Sequence, residues 1–281
     1  MTREIDVSVI RDATARLFVE ANVFLPEGTR EILLKSAKEE RSPLCAGVLR
    51  DLVRNMDEAE RKNIPVCQDT GMAVVFLEIG QDVRFTGGNL YEAVNEGVAM
   101  GYRDGCLRKS VASDPIFREN TGDNTPAIIH AEITAGDKAV ITAAPKGFGS
   151  ENMSAVKMFP PTASIEDIIA FVTETVSKAG SNPCPPIIAG VGIGGDFEYA
   201  AILAKKALCR GVNARHPDKR YSDIEERMLS EINRLGIGAQ GFGGTVTALS
   251  VNIERFPTHI AGLPVAVNIG CHVTRHRKAV I

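Results

Sequence analysis

The stretch NIPVCQDTGMAVVFLEI (Asn63–Ile79) decides how the chain is to be read. Before it, apolar residues recur at helical spacing; after it, β-rich runs enter. Asn63-Ile64-Pro65 closes the last of the early helical patterns, because proline lacks an amide hydrogen and disfavours helix in the residue before it. Met72 to Ile79 is a short run rich in β-formers and reads as a strand. Between the two lies a cysteine backed by polar, turn-forming residues: Gln68, Asp69, Thr70 and Gly71. A cysteine used for packing usually sits among apolar neighbours. Cys67 is therefore either an incidental thiol in a turn or a ligand whose polar neighbours do chemistry.

Toward the N-terminus, Ile10, Ala13, Leu17 and Ala21 define one helix. Thr29 is expected to cap a second, containing Ile32, Leu33 and Ala37. Ser42-Pro43 opens a third, with Val48, Leu52 and Met56 as its apolar stripe. Toward the C-terminus, Leu90 to Tyr102 returns to helical spacing. Ala127 to Ile133 and Ala139 to Ala144 flank Thr134-Ala135-Gly136-Asp137 and predict an antiparallel hairpin. Ser164 to Ala179 is a strong helix. Pro186 to Gly195 reads as a buried strand entering a glycine-rich turn, with Asp196 capping a helix to about Leu208. Ile224 to Leu235 reads as helix, and Thr247 to Glu254 and Pro264 to Gly270 as late strands. The expected fold class is α/β (mixed α+β), a single domain over 1–281. A helical N-terminal lobe over about 1–65 would pack on a mixed-sheet α/β lobe over about 66–281.

Composition narrows the function. Hydrophobic residues make up 44% and charged residues 24% of the chain, a globular rather than a disordered balance. The formal net charge of -3 supplies no basic field, which argues against nucleic acid as a partner. No run approaches the roughly 20 apolar residues of a membrane span. Charges break up MTREIDVSVIRDATARLF, so it has no apolar signal-peptide core. The expected setting is a reducing cytoplasm, where the six cysteines are free, metal-bound or catalytic rather than disulfide-paired.

Context separates the cysteines. Cys45 (PLCAGVLRDL) and Cys209 (AKKALCRG) belong to helical patterns and read as packing residues, and Cys106 (DGCLRKS) can pack likewise. Cys67, Cys184 (SNPCPP) and Cys271 (NIGCHVTRH) lie in or beside loops bearing Pro or Gly. Cubane iron–sulfur clusters normally take four thiolates; three would leave one iron open to water or substrate, as a Lewis acid. The alternative is three unrelated buried thiols, and spacing alone does not choose between them.

Other polar segments have paired readings. NTGDNTPA (Asn120 to Ala127) is either a structural turn or a set of reactive side chains. KGFGS (Lys146 to Ser150) is either a plain turn or a loop presenting backbone N–H groups and a lysine to an anion. Arg108 in LRKS is a surface cation unless its neighbours define a carboxylate site, which its planar fork would suit. His259, just before an apolar strand, is either an edge residue or a catalyst. His272 and His276 read as part of a solvated basic tail. Gly190-Val191-Gly192-Ile193-Gly194-Gly195 satisfies GxGxxG after a strand and before a helix, the setting of a nicotinamide-dinucleotide site. The second strand with its terminal acid at about 20 residues does not follow, and a tight strand–helix turn explains the glycines as well.

Taken in order, VCQDTG, LRKSVASDP, NTGDNTPA, KGFGSENMS, SNPCPP, GVGIGGDFE, GFGGTVTAL and NIGCHVTRH resemble the α subunit of the two-subunit class I (iron–sulfur) fumarases and the related L-tartrate dehydratases, over nearly the whole chain. The resemblance implies a hydro-lyase that hydrates fumarate to (S)-malate, or an L-tartrate dehydratase forming oxaloacetate. It implies a 4Fe-4S cluster on Cys67, Cys184 and Cys271, and a small dicarboxylate bound by Gln68, Asp69, Arg108 and Gly149. Catalytic roles would fall to Asp69, delivering a proton to the hydroxyl, and to His259, tuning or relaying it. A separate β subunit would complete the active site and supply the base for the carbon-bound proton, in an α2β2-type assembly.

Overall fold

The computed structural model describes residues 2–281. In chain order the elements are β1 (Arg3–Asp6), α1 (Val7–Val23), α2 (Thr29–Glu39), α3 (Pro43–Lys62), β2 (Met72–Gly80), β3 (Val83–Thr86), α4 (Leu90–Asp104), β4 (Ile128–Thr134), β5 (Ala139–Lys146), α5 (Phe148–Glu151), β6 (Ala155–Phe159), α6 (Ile165–Ala179), β7 (Ile187–Gly195), α7 (Phe197–Ala207), α8 (Lys219–Arg234), β8 (Ala248–Thr258), β9 (Leu263–Gly270) and β10 (Arg277–Val280). The mixture of helices with sheets of mixed direction is the expected α/β class. No helix among the described residues is long and apolar enough to cross a membrane.

Contacts divide the chain into two compact units, one of Met1–Pro26, Met56–Gly147 and Arg275–Ile281, the other of Glu27–Asn55 and Phe148–Thr274. Neither is continuous in sequence. In the first, α1 buries Ile10, Leu17 and Phe18 in one cluster with Val94, Val98 and Tyr102 of α4 and Val75 and Ile141 of the strands.

In the first unit a four-stranded sheet runs β10-β5-β2-β4. The predicted hairpin of β4 with β5 does not form. β2 lies between them, parallel to β4 (Val74 opposite Ile128) and antiparallel to β5 (Val74 opposite Ala144). The burial of the strands explains it: Ala73 to Leu77 are all buried, which suits a central strand, whereas β4 is largely exposed, which suits an edge. Four short strands, β1, β3, β6 and β10, were not anticipated. β1 precedes α1 and pairs parallel with β3. β10 pairs antiparallel with β5, so the basic tail is part of the sheet rather than a solvated end, and Arg275 is only 4% exposed. In the other unit, Gly28 with φ 84 occupies the N-cap of α2, and Thr29, expected there, is the first helical residue and fully buried.

The second unit is built on the sheet β6-β9-β7-β8. Alternation along β7 sorts its two faces. Ile187, Ala189 and Val191 join a core with Val172 and Val176 of α6 and Met228 and Ile232 of α8. Gly190 and Gly192 face α7: a Cβ on them would lie 2.1 Å from the Ala204 carbonyl oxygen and 2.0 Å from that of Ala200. The GxGxxG pattern is thus accounted for by a helix packed at backbone distance. Asp196 caps α7 as expected, accepting from the Tyr199 amide; at α6, Ser164 and Asp167 form a reciprocal box.

Candidate active site

In the first unit the Gln68–Gly71 turn is fastened by buried side chains. The Asp69 Oδ1 accepts from the Gly71 amide at 3.0 Å. The hydroxyl of Thr70, itself buried, accepts from the Arg108 amide at 2.8 Å. The Tyr102 hydroxyl donates toward the carbonyls of Thr70 at 3.0 Å and Gly71 at 2.8 Å. Asn124, fully buried with φ 67, donates from Nδ2 to the Gly71 carbonyl at 3.3 Å and accepts from the Ser110 amide at 2.6 Å. One polar network therefore joins the segment of Gln68 and Asp69 to that of Arg108, while the Gln68 and Arg108 residues remain exposed. Burial pushes the Tyr102 phenol well above its usual pKa, so it acts as a neutral hydrogen-bond donor.

Two further residues shape this turn. The Arg275 guanidinium donates from Nη2 to the Asp69 carbonyl; its Nε and Nη1 are buried without a protein partner. A Cβ built on Gly147 would lie 2.9 Å from the Asp69 Oδ2, so the first residue of the GFGS turn must be glycine for the Asp69 carboxylate to keep its place.

In the second unit the segments bearing Cys184 and Cys271 meet. Cys184 is exposed and takes φ 53. The His272 Nδ1 lies 2.9 Å from the Cys184 carbonyl oxygen, and the His272 amide donates to the same oxygen at 3.4 Å. Thr274 closes the Cys271 turn, its amide and hydroxyl reaching the Cys271 carbonyl at 2.9 and 2.7 Å. His272 is thus a structural partner of the thiol loops, where a solvated chain end was expected. Gly149, exposed on α5, sits beside the Cys184 segment; a Cβ there would be an ordinary 3.5 Å from the Asn182 carbonyl, so packing does not demand the glycine. His259 is exposed on the turn after β8, and its Nδ1 accepts from the Ala261 amide at 3.1 Å. In the neutral ring that bond leaves the proton on Nε2.

Cys67 is half-buried and belongs to the first unit. Among the described residues no group of three or more His, Cys, Asp or Glu is arranged to hold a metal ion; the structure brings together the segments of Cys184 and Cys271. Those two are accessible soft donors, the kind that suits iron–sulfur clusters. The remaining thiols contrast with them. Cys45 is fully buried, its sulfur donating to the Gly243 carbonyl. Burial of the Cys209 sulfur pushes its pKa up to about 12, which makes it an inert thiol although the residue as a whole is half-buried. Cys106 is exposed with φ 51 and does not pack as expected.

Sequence reading missed Tyr102, Arg275 and Gln240, the last of which donates to the Pro185 carbonyl. Tyr102 and Arg275 lie in segments whose patterns read only as helix and tail, and Gln240 is one polar residue in a run of glycines.

Comparison with known proteins places this arrangement. The sequence model of the fumarate hydratase (Fumerase) family matches residues 11–280, and the chain belongs to that family. It is 43% identical over 272 residues, 95% of each chain, to a Methanocaldococcus jannaschii protein named "Putative L(+)-tartrate dehydratase subunit alpha". It is 30% identical over 280 residues to the L(+)-tartrate dehydratase subunit alpha of Escherichia coli K12 and to that of Shigella boydii, covering 98% of this chain and 91% of each relative.

Proposed function

We propose that the chain is the alpha subunit of an iron–sulfur hydro-lyase that reversibly adds water to a C4 dicarboxylate, fumarate to (S)-malate. The observation that carries this reading is the network of Thr70, Tyr102 and Asn124, which holds a carboxylate-and-amide pair, Gln68 and Asp69, to the segment of a guanidinium, Arg108. Family membership supports the reaction class. Addition places a hydroxyl on one alkene carbon and a proton on the other; elimination reverses both.

Each group then has a chemical task. Arg108 and Gln68 bind substrate carboxylates, Arg108 through its planar fork. The exposed backbone at Gly149 offers close approach to the same kind of group. Asp69 delivers the proton to the departing hydroxyl and recovers it in hydration. His259, with Nδ1 already engaged by Ala261, relays through Nε2. Cys67, Cys184 and Cys271 would hold a 4Fe-4S cluster, which when bound supplies a Lewis acid for the substrate oxygen. Relatives named as alpha subunits support a β partner, to which we assign the base for the carbon-bound proton in an α2β2-type assembly. We place the enzyme in the cytoplasm, where reduced thiols persist.

The second reading is L-tartrate dehydration, which needs the same elimination on a substrate with one more hydroxyl. The names of the relatives favour it. Assay of the anaerobic complex on fumarate, (S)-malate and L-tartrate decides between them. Turnover of fumarate and malate well above that of tartrate supports the first reading, the reverse order supports the second, and no turnover of any removes both.

A further inference from the structure

Gln240 has no part in the chemistry assigned above, yet it joins three segments of the second unit that are far apart in sequence. Its amide nitrogen and its side-chain Nε2 both donate to the Pro185 carbonyl, at 2.7 and 2.8 Å. The same Nε2 lies 3.2 Å from the His272 Nδ1. Because a carbonyl oxygen only accepts, the atom facing Pro185 must be the NH2 group, which settles the orientation of the amide.

The backbone shows that the side chain is kept at some cost. Gly238, Gly241, Gly243 and Gly244 take positive φ in this turn, and Gln240 takes φ 53 with a Cβ attached. That left-handed conformation is strained for a residue with a Cβ, and glycine adopts it freely. The turn is not loose. The Glu40 carboxylate accepts from the Thr245 and Val246 amides at 2.8 and 3.0 Å, and the Asn233 Oδ1 accepts from those of Thr247 and Ala248 at 2.8 and 2.9 Å. Gln240 is therefore a fixed arm that reaches from an anchored turn to the Cys184 segment and to the residue after Cys271.

His272 makes the arm selective. Its Nδ1 faces two groups, the Gln240 Nε2, which only donates, and the Cys184 carbonyl at 2.9 Å, which only accepts. One ring nitrogen cannot serve both, so Gln240 and the Cys184 backbone compete for the same edge of His272.

We propose that Gln240 is a positioning residue that sets the placement and accessibility of the Cys184 and Cys271 thiols by holding the Pro185 carbonyl and His272. Its functional meaning rests on the reading of those thiols as cluster ligands; the tie itself does not. The test uses the full chain with oxygen excluded, as wild type, Gln240→Gly and Gln240→Met. The glycine variant relieves the backbone and removes the amide; the methionine variant keeps the bulk without the donors and serves if glycine fails to fold. Three quantities are read: the alkylation rate of Cys184 by iodoacetamide in iron-free chain, the imidazole nitrogen resonances of His272, and iron retained after reconstitution with iron and sulfide. The proposal expects a variant that melts cooperatively, faster Cys184 alkylation by roughly fivefold, the shift one ordinary hydrogen bond produces, displaced His272 resonances and reduced iron retention. A folded variant with wild-type alkylation and wild-type His272 resonances overturns it. If alkylation and resonances change while the wild type binds no iron, the tie stands and the cluster reading falls.

Discussion

The Tyr102 hydroxyl donates to the Gly71 carbonyl oxygen at 2.8 Å from a side chain that is 1% exposed. A phenol buried in α4 thus fixes the turn that carries Gln68 and Asp69. Tyr102→Phe would leave the Gly71 carbonyl with only the longer bond from Asn124. The expected loss is about 1–2 kcal/mol of unfolding free energy, measured by urea denaturation. KM for the dicarboxylate is expected to rise in the complex, because the binding groups lose their frame while the ring still fills the core. An unchanged KM would separate Tyr102 from the substrate groups.

Gly147 and Asp69 make a second pair. Gly147→Ala places a methyl group 2.9 Å from the Asp69 Oδ2, closer than such contacts allow. The carboxylate is the movable partner, so the fold should survive with a melting temperature within a few degrees of wild type. Turnover is expected to fall by about tenfold or more, as a displaced proton donor implies. Asp69→Asn, which keeps the shape and removes the acid, should lower kcat further with the iron content unchanged. Wild-type kcat in Asp69→Asn would remove that residue from the proposed chemistry.

The C-terminal segment predicts a pH dependence. Burial, and then the neighbouring positive charge of Arg277, hold the His276 pKa down at about 4, against an ordinary value of 6.5. The folded state resists a proton that the unfolded chain accepts. The stability tied to this group is therefore complete above pH 6.5, declines as the pH falls toward 4, and changes no further below that. Its size is about 3 kcal/mol. His276→Gln should flatten that part of a stability-against-pH curve, read from denaturant unfolding at each pH; an equal slope in both proteins would contradict the assignment.

The second unit contains a buried ion pair. Glu225 is fully buried, pairs with Arg210, and accepts from the amides of Ile253 at 2.8 Å and His216 at 3.0 Å. Glu225→Ala leaves two amides without their acceptor and Arg210 with only its longer pair to the half-buried Glu254 and its bond to the Ile253 carbonyl. The expected cost is roughly 3–5 kcal/mol, visible as loss of cooperative unfolding or a large fall in melting temperature. A loss below about 1 kcal/mol would mean that the Glu254 pair suffices for Arg210 and that the Glu225 pair counts no more than a surface one.

Much of this was legible in the residues. Asp196 announced its helix because a cap is a local device, read from one residue and the three that follow. The buried strand β7 was visible in its unbroken apolar run. Pairing was not local. Thr134 to Asp137 reads as a hairpin turn, yet β2, more than forty residues earlier, takes the place between β4 and β5; β2 and β5 are buried on both faces and suit interior positions, whereas the exposed β4 suits the edge. On the site, the motif order pointed to Cys67, Cys184 and Cys271, and the segments of the last two meet through His272. Gly149 and His259 belong to the second unit and the Gln68–Arg108 network to the first. Arg275 and Gln240 gave no sequence signal, since their roles depend on carbonyls of Asp69 and Pro185 brought to them by the fold.

The central claim is that Cys67, Cys184 and Cys271 together hold an iron–sulfur cluster for a hydro-lyase. The most direct measurement is the iron and sulfide content of the complex, purified and reconstituted without oxygen, for wild type and for Cys67→Ser, Cys184→Ser and Cys271→Ser. The account predicts about four iron atoms per alpha chain in the wild type and a marked loss in each of the three variants, with Cys45→Ser unaffected. A wild-type complex without iron, or three serine variants with undiminished iron, would contradict it.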